Sequence, residues 1–429
     1  MRRLLLTLSF SGMLIGMPAL AAPPALFGGQ PLAFEPSPKP AVVGAYVPSW
    51  ESTAVVDAIK PGSVTHLLYA FTRVCGPGQR AADEQLCAGR APFSLATGPK
   101  EAEFDTAFQR LKAREPGVKV VASVGGWGGS DPFFHFAPDA EKRAAFVAGS
   151  VEFLRTHTGF DGIDIDWEHP GDNGAGNGVK LGSAADGQAY ADLMSDLRAA
   201  LDGLSKETGR PYLVTTAINT ASHIVRRVNF RQAARALDLV FMMTYDYYGG
   251  WSAQAGQHTG LSPSSPEAED GITTSVRVMV MAGVPAAKLV VGVAMYGRGF
   301  AGVKPLPSGG FTPTAKTGQF PADGIQGEAG TATYKDIAAR WLGPKAQGLA
   351  GFTPRYDAIT QSWSLWNAKT GDYMGYDDPR AVLLKGQYAK KAGLAGVFAW
   401  ELSQDNGDIL NAMNIGVGNK PIAAPVTSR

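Results

Sequence analysis

The chain has 429 residues and a formal net charge of +1, with 39 Lys and Arg against 38 Asp and Glu. A near-neutral balance without basic runs argues against nucleic acid or an anionic membrane as the partner and leaves an uncharged ligand as the expectation. Eight Trp, several beside glycines in turn-like stretches, suit a ligand with flat apolar faces such as a pyranose ring.

At the N-terminus Arg2 and Arg3 precede an apolar run from Leu4 to Met17, and Ala19-Leu20-Ala21 follows. This pattern predicts a signal peptide cleaved near Ala21 and a secreted product, extracellular or periplasmic. The run contains Ser9, Ser11, Gly12 and Gly16 and is shorter than the roughly 20 apolar residues of a membrane span. No later segment is long and apolar enough to cross a bilayer. Residues 22–41 hold Pro31, Pro36, Pro38 and Pro40 without apolar periodicity, which predicts an extended linker.

From residue 42 short β-branched or apolar runs alternate with Ala-, Leu-, Lys- and Arg-rich stretches of helical spacing. The runs are Val42 to Trp50, Val64 to Phe71, Val118 to Trp127, Gly159 to Trp167, Tyr212 to Asn219, Leu237 to Tyr245, Leu289 to Tyr296 and Gly396 to Trp400. Eight such units predict an α/β chain folded as a (β/α)8 TIM barrel over 42–298 and 380–415. A doubly wound sheet fits the periodicity too, but gives no reason for polar and aromatic residues at the C-terminal end of nearly every strand, where barrel enzymes build their sites. The spacing breaks between the seventh and eighth runs. There, residues 299–379 contain aromatic strands such as Phe352 to Tyr356 and Trp363 to Trp366, too much for a loop and consistent with a small inserted α+β domain. Residues 416–429 are left as a tail.

Cys75 and Cys87 are the two cysteines, in a loop-like stretch rich in Gly and Pro. In an exported chain an even count predicts one disulfide, with two free thiols as the alternative. No His or second Cys pair stands nearby at metal-ligand spacing.

The fourth run reads Asp161-Gly162-Ile163-Asp164-Ile165-Asp166-Trp167-Glu168-His169-Pro170. Strand alternation puts Asp164, Asp166 and Glu168 on one inward face, with alternate residues roughly 6.5 to 7 Å apart. Ile163, Ile165 and Trp167 fall on the other, so the strand is expected to be buried on both sides. A buried acidic row is expensive without a purpose. Burial and like charge raise carboxyl pKa values, which is what a general acid needs near neutral pH. Asp161 has the opposite parity and is read as structural.

These residues carry a family resemblance. The segment is similar to the DxxDxDxE signature of family 18 glycoside hydrolases. Ser123-Val124-Gly125-Gly126 resembles that family's SxGG motif on the third strand. Met243-Thr244-Tyr245-Asp246 matches on the sixth, Tyr296-Gly297-Arg298 on the seventh and Trp400-Glu401 on the eighth. The resemblance covers about residues 42–415 and lies nearest the bacterial chitinase A group, including the insertion and the closing Asp405-Asn406-Gly407-Asp408.

The resemblance implies hydrolysis of chitin and chito-oligosaccharides by a retaining mechanism in which the substrate's own acetamido group is the nucleophile. Glu168 would protonate the glycosidic oxygen. Asp166 would hold the acetamido group, with Asp164 behind it and Tyr245 bonded to the acetamido oxygen. Trp400 would floor the sugar site before the scissile bond. Trp127 and Trp251 would be platforms on the leaving side, with Asp246 and Arg298 as polar contacts. Tyr46, Met243, Tyr296 and Trp167 are further expected substrate contacts. No metal or cofactor is implied, and a monomer is expected. A lectin on the same barrel, which typically lacks the acid, and an endo-β-N-acetylglucosaminidase acting on N-glycan cores are the alternatives. His169 departs from the Tyr or Phe usual at its position, which leaves the pH optimum open. The fibronectin-like domain of some relatives and a separate chitin-binding module are not visible in the sequence.

Overall fold

The computed structural model describes residues 24–173, 175, 180–304 and 320–422. The expected signal peptide lies outside them. The barrel is built from β1 (Val42–Pro48), β2 (His66–Val74), β4 (Lys119–Gly125), β5 (Gly162–Asp166), β6 (Leu213–Ile218), β7 (Leu239–Met242), β8 (Leu289–Ala294) and β14 (Gly396–Trp400). These strands run parallel in the order β1-β14-β8-β7-β6-β5-β4-β2, and β1 pairs with β2 to close the ring. The short β3 (Leu95–Ala96) is added antiparallel at the end of β2. All eight predicted runs are barrel strands.

Strand alternation sorts the core into two layers. Val43, Ala45, Val120, Ile163, Ile165 and Val291 pack outward against the helices. Tyr46, Leu68, Val121, Phe241, Val290 and Phe398 fill the interior. Both faces of most strands are therefore dry, which is why the runs read as nearly continuous apolar segments. The helix Ala140–Thr156 starts on Asp139, whose carboxylate accepts from the Glu141 and Lys142 amides, and the helix Asp186–Thr208 ends at Gly209 with a positive φ. No helix among the described residues is long and apolar enough to cross a membrane.

The insertion is a second sheet of β9 (Tyr296–Phe300), β10 (Thr331–Thr333), β11 (Phe352–Asp357), β12 (Ser362–Asn367) and β13 (Asp372–Tyr376), in the order β10-β9-β13-β12-β11 and antiparallel throughout. Its first strand corrects a boundary. Tyr296, Gly297 and Arg298 were expected on the seventh barrel strand, but β8 ends at Ala294 and they pair instead with Thr331–Thr333 and Tyr376–Gly375. Only Met295 separates the two strands, so the apolar run continues unbroken while the chain changes sheet.

The Pro-rich segment is not a free linker over its described part. Leu26 and Phe34 are buried, the Gly29 amide donates to Asp408 (2.8 Å), and the Leu32 amide donates to Asn411 (2.9 Å). Two apolar anchors and two acceptors on the last helix, Asp408–Val417, dock an otherwise extended stretch. The Cys75–Cys87 disulfide is formed, with Cα atoms 5.3 Å apart.

Candidate active site

Asp164 and Asp166 rise along the interior of β5 toward the C-terminal mouth of the barrel, and Glu168 follows two residues beyond its end. Two glycines at the end of β4 allow the close approach of the neighbouring chain and the Phe71 ring. Gly125 has φ +113°, and a Cβ there would lie 2.1 Å from the Asp166 carbonyl; one on Gly126, at φ +78°, would strike the Phe71 ring. Ser130 completes the backbone cradle. Its hydroxyl accepts the Glu168 amide at 2.9 Å and lies 3.0 Å from the Gly126 and Asp166 carbonyls.

Asp164 is sealed at the bottom of the row. Thr215 and Ser123 donate to it at 2.6 and 2.7 Å, and the Tyr46 hydroxyl stands 3.5 Å away. Burial still outweighs these donors and pushes its pKa up to about 6. Asp166 is in a harsher position. It is buried, then opposed by Glu168 and Asp164, so its pKa is raised well above the usual carboxylate range. Its Oδ1 has no hydrogen-bond partner among the described residues. A buried acceptor without a donor costs roughly 1–3 kcal/mol unless a ligand completes it. Glu168 is pushed up to about 8, by burial first and by the charge of Asp246 second, so it carries its proton at neutral pH.

Asp246 follows β7 and has the left-handed φ of +62°, a conformation a non-glycine residue keeps only where its surroundings impose it. Its carboxylate is gripped by Arg298 Nε at 2.6 Å and Nη2 at 2.8 Å, and by the Tyr296 hydroxyl at 2.5 Å. Burial opposes its charge, but Arg298 and His258 more than offset this and hold it below the usual carboxylate range. The negative charge that raises Glu168 is thereby permanent. Tyr245 is buried beside Asp166, Asp246 and Glu168. Burial first and those charges next hold its phenol well above 10, so it remains a hydrogen-bond donor. Met243 and Tyr296 line the same interior cluster.

Aromatic rings surround the carboxyls. Trp400 lies over Phe71 (5.8 Å, 23° between planes) and edge-on to Tyr46 at 5.0 Å. Trp127 and Trp251 stand 59 and 61 % exposed, with the Arg298 guanidinium 4.7 Å from the Trp251 ring centre. Such faces suit a sugar ring. Trp167 is the exception among the expected contacts. It is 2 % exposed, stacked on Phe133 at 5.3 Å and edge-on to Phe134, so it belongs to the outer core. Strand parity dictates this, since Trp167 alternates with Asp166 and Glu168. Asp161 also faces out, where it accepts the Val120 amide (2.8 Å) and pairs with Lys112 (2.6 Å).

Sequence reasoning missed Thr215, Ser130 and Trp50. Trp50 ends the first run, is 43 % exposed and lies 6.3 Å from Trp400. A cavity of about 280 Å³ continues beyond it, between Glu401 and the insertion residues Ile325 and Lys335. The run of residues already ended on Trp50, a usable signal. Nothing local marks Thr215 or Ser130, whose partners lie 51 and 38 residues away. His169 places Nε2 3.8 Å from Glu168 Oε2, and burial lowers its pKa to about 4. The neighbour of Glu168 is therefore a neutral ring at neutral pH. No group of three His, Cys, Asp or Glu side chains among the described residues is placed to hold a metal ion.

The arrangement offers a protonated carboxyl beside a second carboxyl with an unpartnered oxygen and a phenol donor, within reach of exposed aromatic faces. Comparison with known proteins gives the same direction. The family described as "Glycosyl hydrolases family 18" matches residues 42–405. "Chitinase A" of Pseudoalteromonas piscicida is 35 % identical, over 90 % of this chain and 53 % of its own length. The chain thus spans about half of that relative. Among solved structures, chitinase ChiA74 from Bacillus thuringiensis superposes with a TM-score of 0.75 at 27 % identity, covering 90 % of this chain and 71 % of that one. A class V chitinase from Nicotiana tobaccum in complex with NAG4 gives a TM-score of 0.70 at 25 % identity, over 88 % of this chain and 99 % of that one.

Proposed function

Since the chain belongs to glycosyl hydrolases family 18, we propose that it is a secreted chitinase that cleaves chitin and chito-oligosaccharides with the substrate's acetamido group as nucleophile. The observation that carries this reading is the pairing, at the C-terminal end of β5, of a protonated Glu168 with the unpartnered Asp166 Oδ1.

Glu168 gives its proton to the glycosidic oxygen as that bond breaks. The acetamido carbonyl oxygen of the sugar before the bond attacks its own anomeric carbon and closes an oxazolinium ring. Asp166 accepts the acetamido N–H, orients the group and stabilises its developing positive charge, a preorganised electrostatic effect in a dry site. Tyr245 donates to the acetamido oxygen. Water then opens the ring, and the Glu168 carboxylate takes a proton from that water as it attacks, which restores the acid. The anomeric carbon is inverted twice, so the product keeps the β configuration. An inverting enzyme would instead hold a water between two more widely separated carboxylates.

Proton NMR of freshly released product tests the route: β-anomer is expected first, and Asp166→Asn should lower turnover with Glu168 intact. An initial α-anomer, or a sugar ester trapped on any Asp or Glu, would overturn it. The supports for export are the Arg2-Arg3 start with its apolar run and the joined Cys75 and Cys87, a bond that persists in oxidising compartments.

A further inference from the structure

Lys385 and Asp377 are fully buried and lie outside the carboxylate row. Lys385, on the helix Pro379–Lys391, places Nζ 2.6 and 2.7 Å from the two carboxylate oxygens of Asp377, just beyond β13. Removing two ions from water costs several kcal/mol each, and the pair recovers this only if its other hydrogen-bonding positions are filled. Among the described residues Asp377 Oδ1 faces only Lys385, and the positions on Oδ2 are filled by segments that build the active site. Asp377 Oδ2 accepts the Ala294 amide at the end of β8 (2.8 Å) and lies 3.0 Å from the Thr259 hydroxyl. The same hydroxyl accepts from Lys385 at 2.5 Å.

Thr259 carries the contact onward. Its hydroxyl lies 3.4 Å from the Thr244 carbonyl, and the preceding residue, His258, accepts the Tyr247 amide at its carbonyl (3.1 Å). The buried His258 ring sits 3.6 Å from the Asp246 carboxylate and 5.2 Å from the Tyr296 ring centre. The dipeptide His258-Thr259 thus touches the 244–247 segment at Thr244, Asp246 and Tyr247. Between those contacts stands Tyr245, and within them the chain takes the left-handed turn at Asp246. Such a turn persists only where its surroundings over-determine it.

We propose that Lys385, Asp377 and Thr259 form a buried clasp that positions Tyr245 and Asp246 for catalysis, so that the helix after the insertion sets the geometry of the acid's neighbours. The clasp touches no reacting atom; its members are positioning residues. The inference rests on the function proposed above.

Lys385→Met would leave Asp377 charged and unpaired, so the hydroxyl between the pair and the active-site segment is the better target. Thr259→Val keeps shape and removes that hydroxyl; Thr259→Ser keeps it. Thr259→Val should fold and lose about 10- to 100-fold in kcat, the scale of a small misplacement, with a much smaller change in KM. Its alkaline limb should also move to lower pH, because Asp246, the charge that raises Glu168, shifts with the 244–247 segment even though Arg298 and Tyr296 still grip its carboxylate. The other titratable groups around Glu168 are Asp166, His169 and Tyr245; the last two carry no charge over this limb, and the change substitutes none of the three. Thr259→Ser should match the wild type in both readouts. Should Thr259→Val not fold, Thr259→Ala removes the same hydroxyl with less bulk and serves the same comparison. A folded hydroxyl-free variant with wild-type kcat and alkaline limb would overturn the clasp, as would Thr259→Ser falling as far as Thr259→Val. A wild type without turnover of chito-oligosaccharides would overturn the proposed function instead.

Discussion

Glu168→Gln preserves the shape of the acid and removes its proton chemistry, and the structure makes a prediction for stability as well as for turnover. Burial and Asp246 raise the Glu168 pKa from 4.5 to about 8. In the unfolded chain the group ionises near 4.5, so from there up to about pH 8 folding must keep or return a proton that water would strip away. The sign follows from linkage: the folded state binds the proton more tightly, so the associated stability is fully present below about pH 4.5 and is lost as pH rises toward 8. At pH 7 the penalty is between about 3 and 4 kcal/mol, counting about 1.4 kcal/mol for each of the roughly 2.5 pH steps above the unfolded value. Gln carries no such penalty. The variant should lose at least about 100- to 10,000-fold in turnover yet unfold at higher denaturant than the wild type at pH 7.5, with the gain gone at pH 4.5. Urea unfolding at the two pH values, followed by Trp fluorescence, measures the difference. An E168Q variant no more stable than wild type at pH 7.5, or equally more stable at both, would refute the account of Glu168 as an acid held protonated by its surroundings.

The aromatic rings separate into two classes with opposite readouts. Trp127→Ala and Trp251→Ala, at exposed rings, should leave stability unchanged and weaken oligosaccharide binding by about 0.5–1.5 kcal/mol each. Trp167→Ala, in the outer core, should cost roughly 3–5 kcal/mol of stability; wild-type stability in that variant would return Trp167 to the substrate side. Protein recovered from outside the cytoplasm should begin after Ala21 and show one crosslinked peptide joining Cys75 and Cys87. Reducing that bond, which closes a separation of 12 residues, should cost about 3 kcal/mol by chain entropy.

The eight strands and the acidic row were legible in the sequence because both depend on a local repeat. In a barrel every strand is apolar outward and alternates with period two, so the order Asp164, Asp166, Glu168 assigns all three to one face without knowledge of any neighbour. The same parity condemned Trp167, and attention to it would have excluded that residue from the substrate contacts. Trp50 was equally readable at the end of its run. The tertiary structure alone decided which partners surround these groups. Arg298 holds Asp246 across 52 residues, Thr215 caps Asp164 across 51, and Lys385 reaches Thr259 across 126. No periodicity encodes such pairings, because each needs two segments brought together by the closed ring or the inserted sheet. Tyr296 and Arg298 changed sheets for the same reason: an apolar run records that a strand is buried and leaves open which strand lies beside it. The Pro-rich start likewise has no repeat of its own, and only the pockets for Leu26 and Phe34 decide that it docks. Sequence thus determined the acidic row and the face it shares, through a pattern that each strand carries within itself. Its protonation was decided by folding, since burial and the fixed charge of Asp246 exist only once distant segments meet.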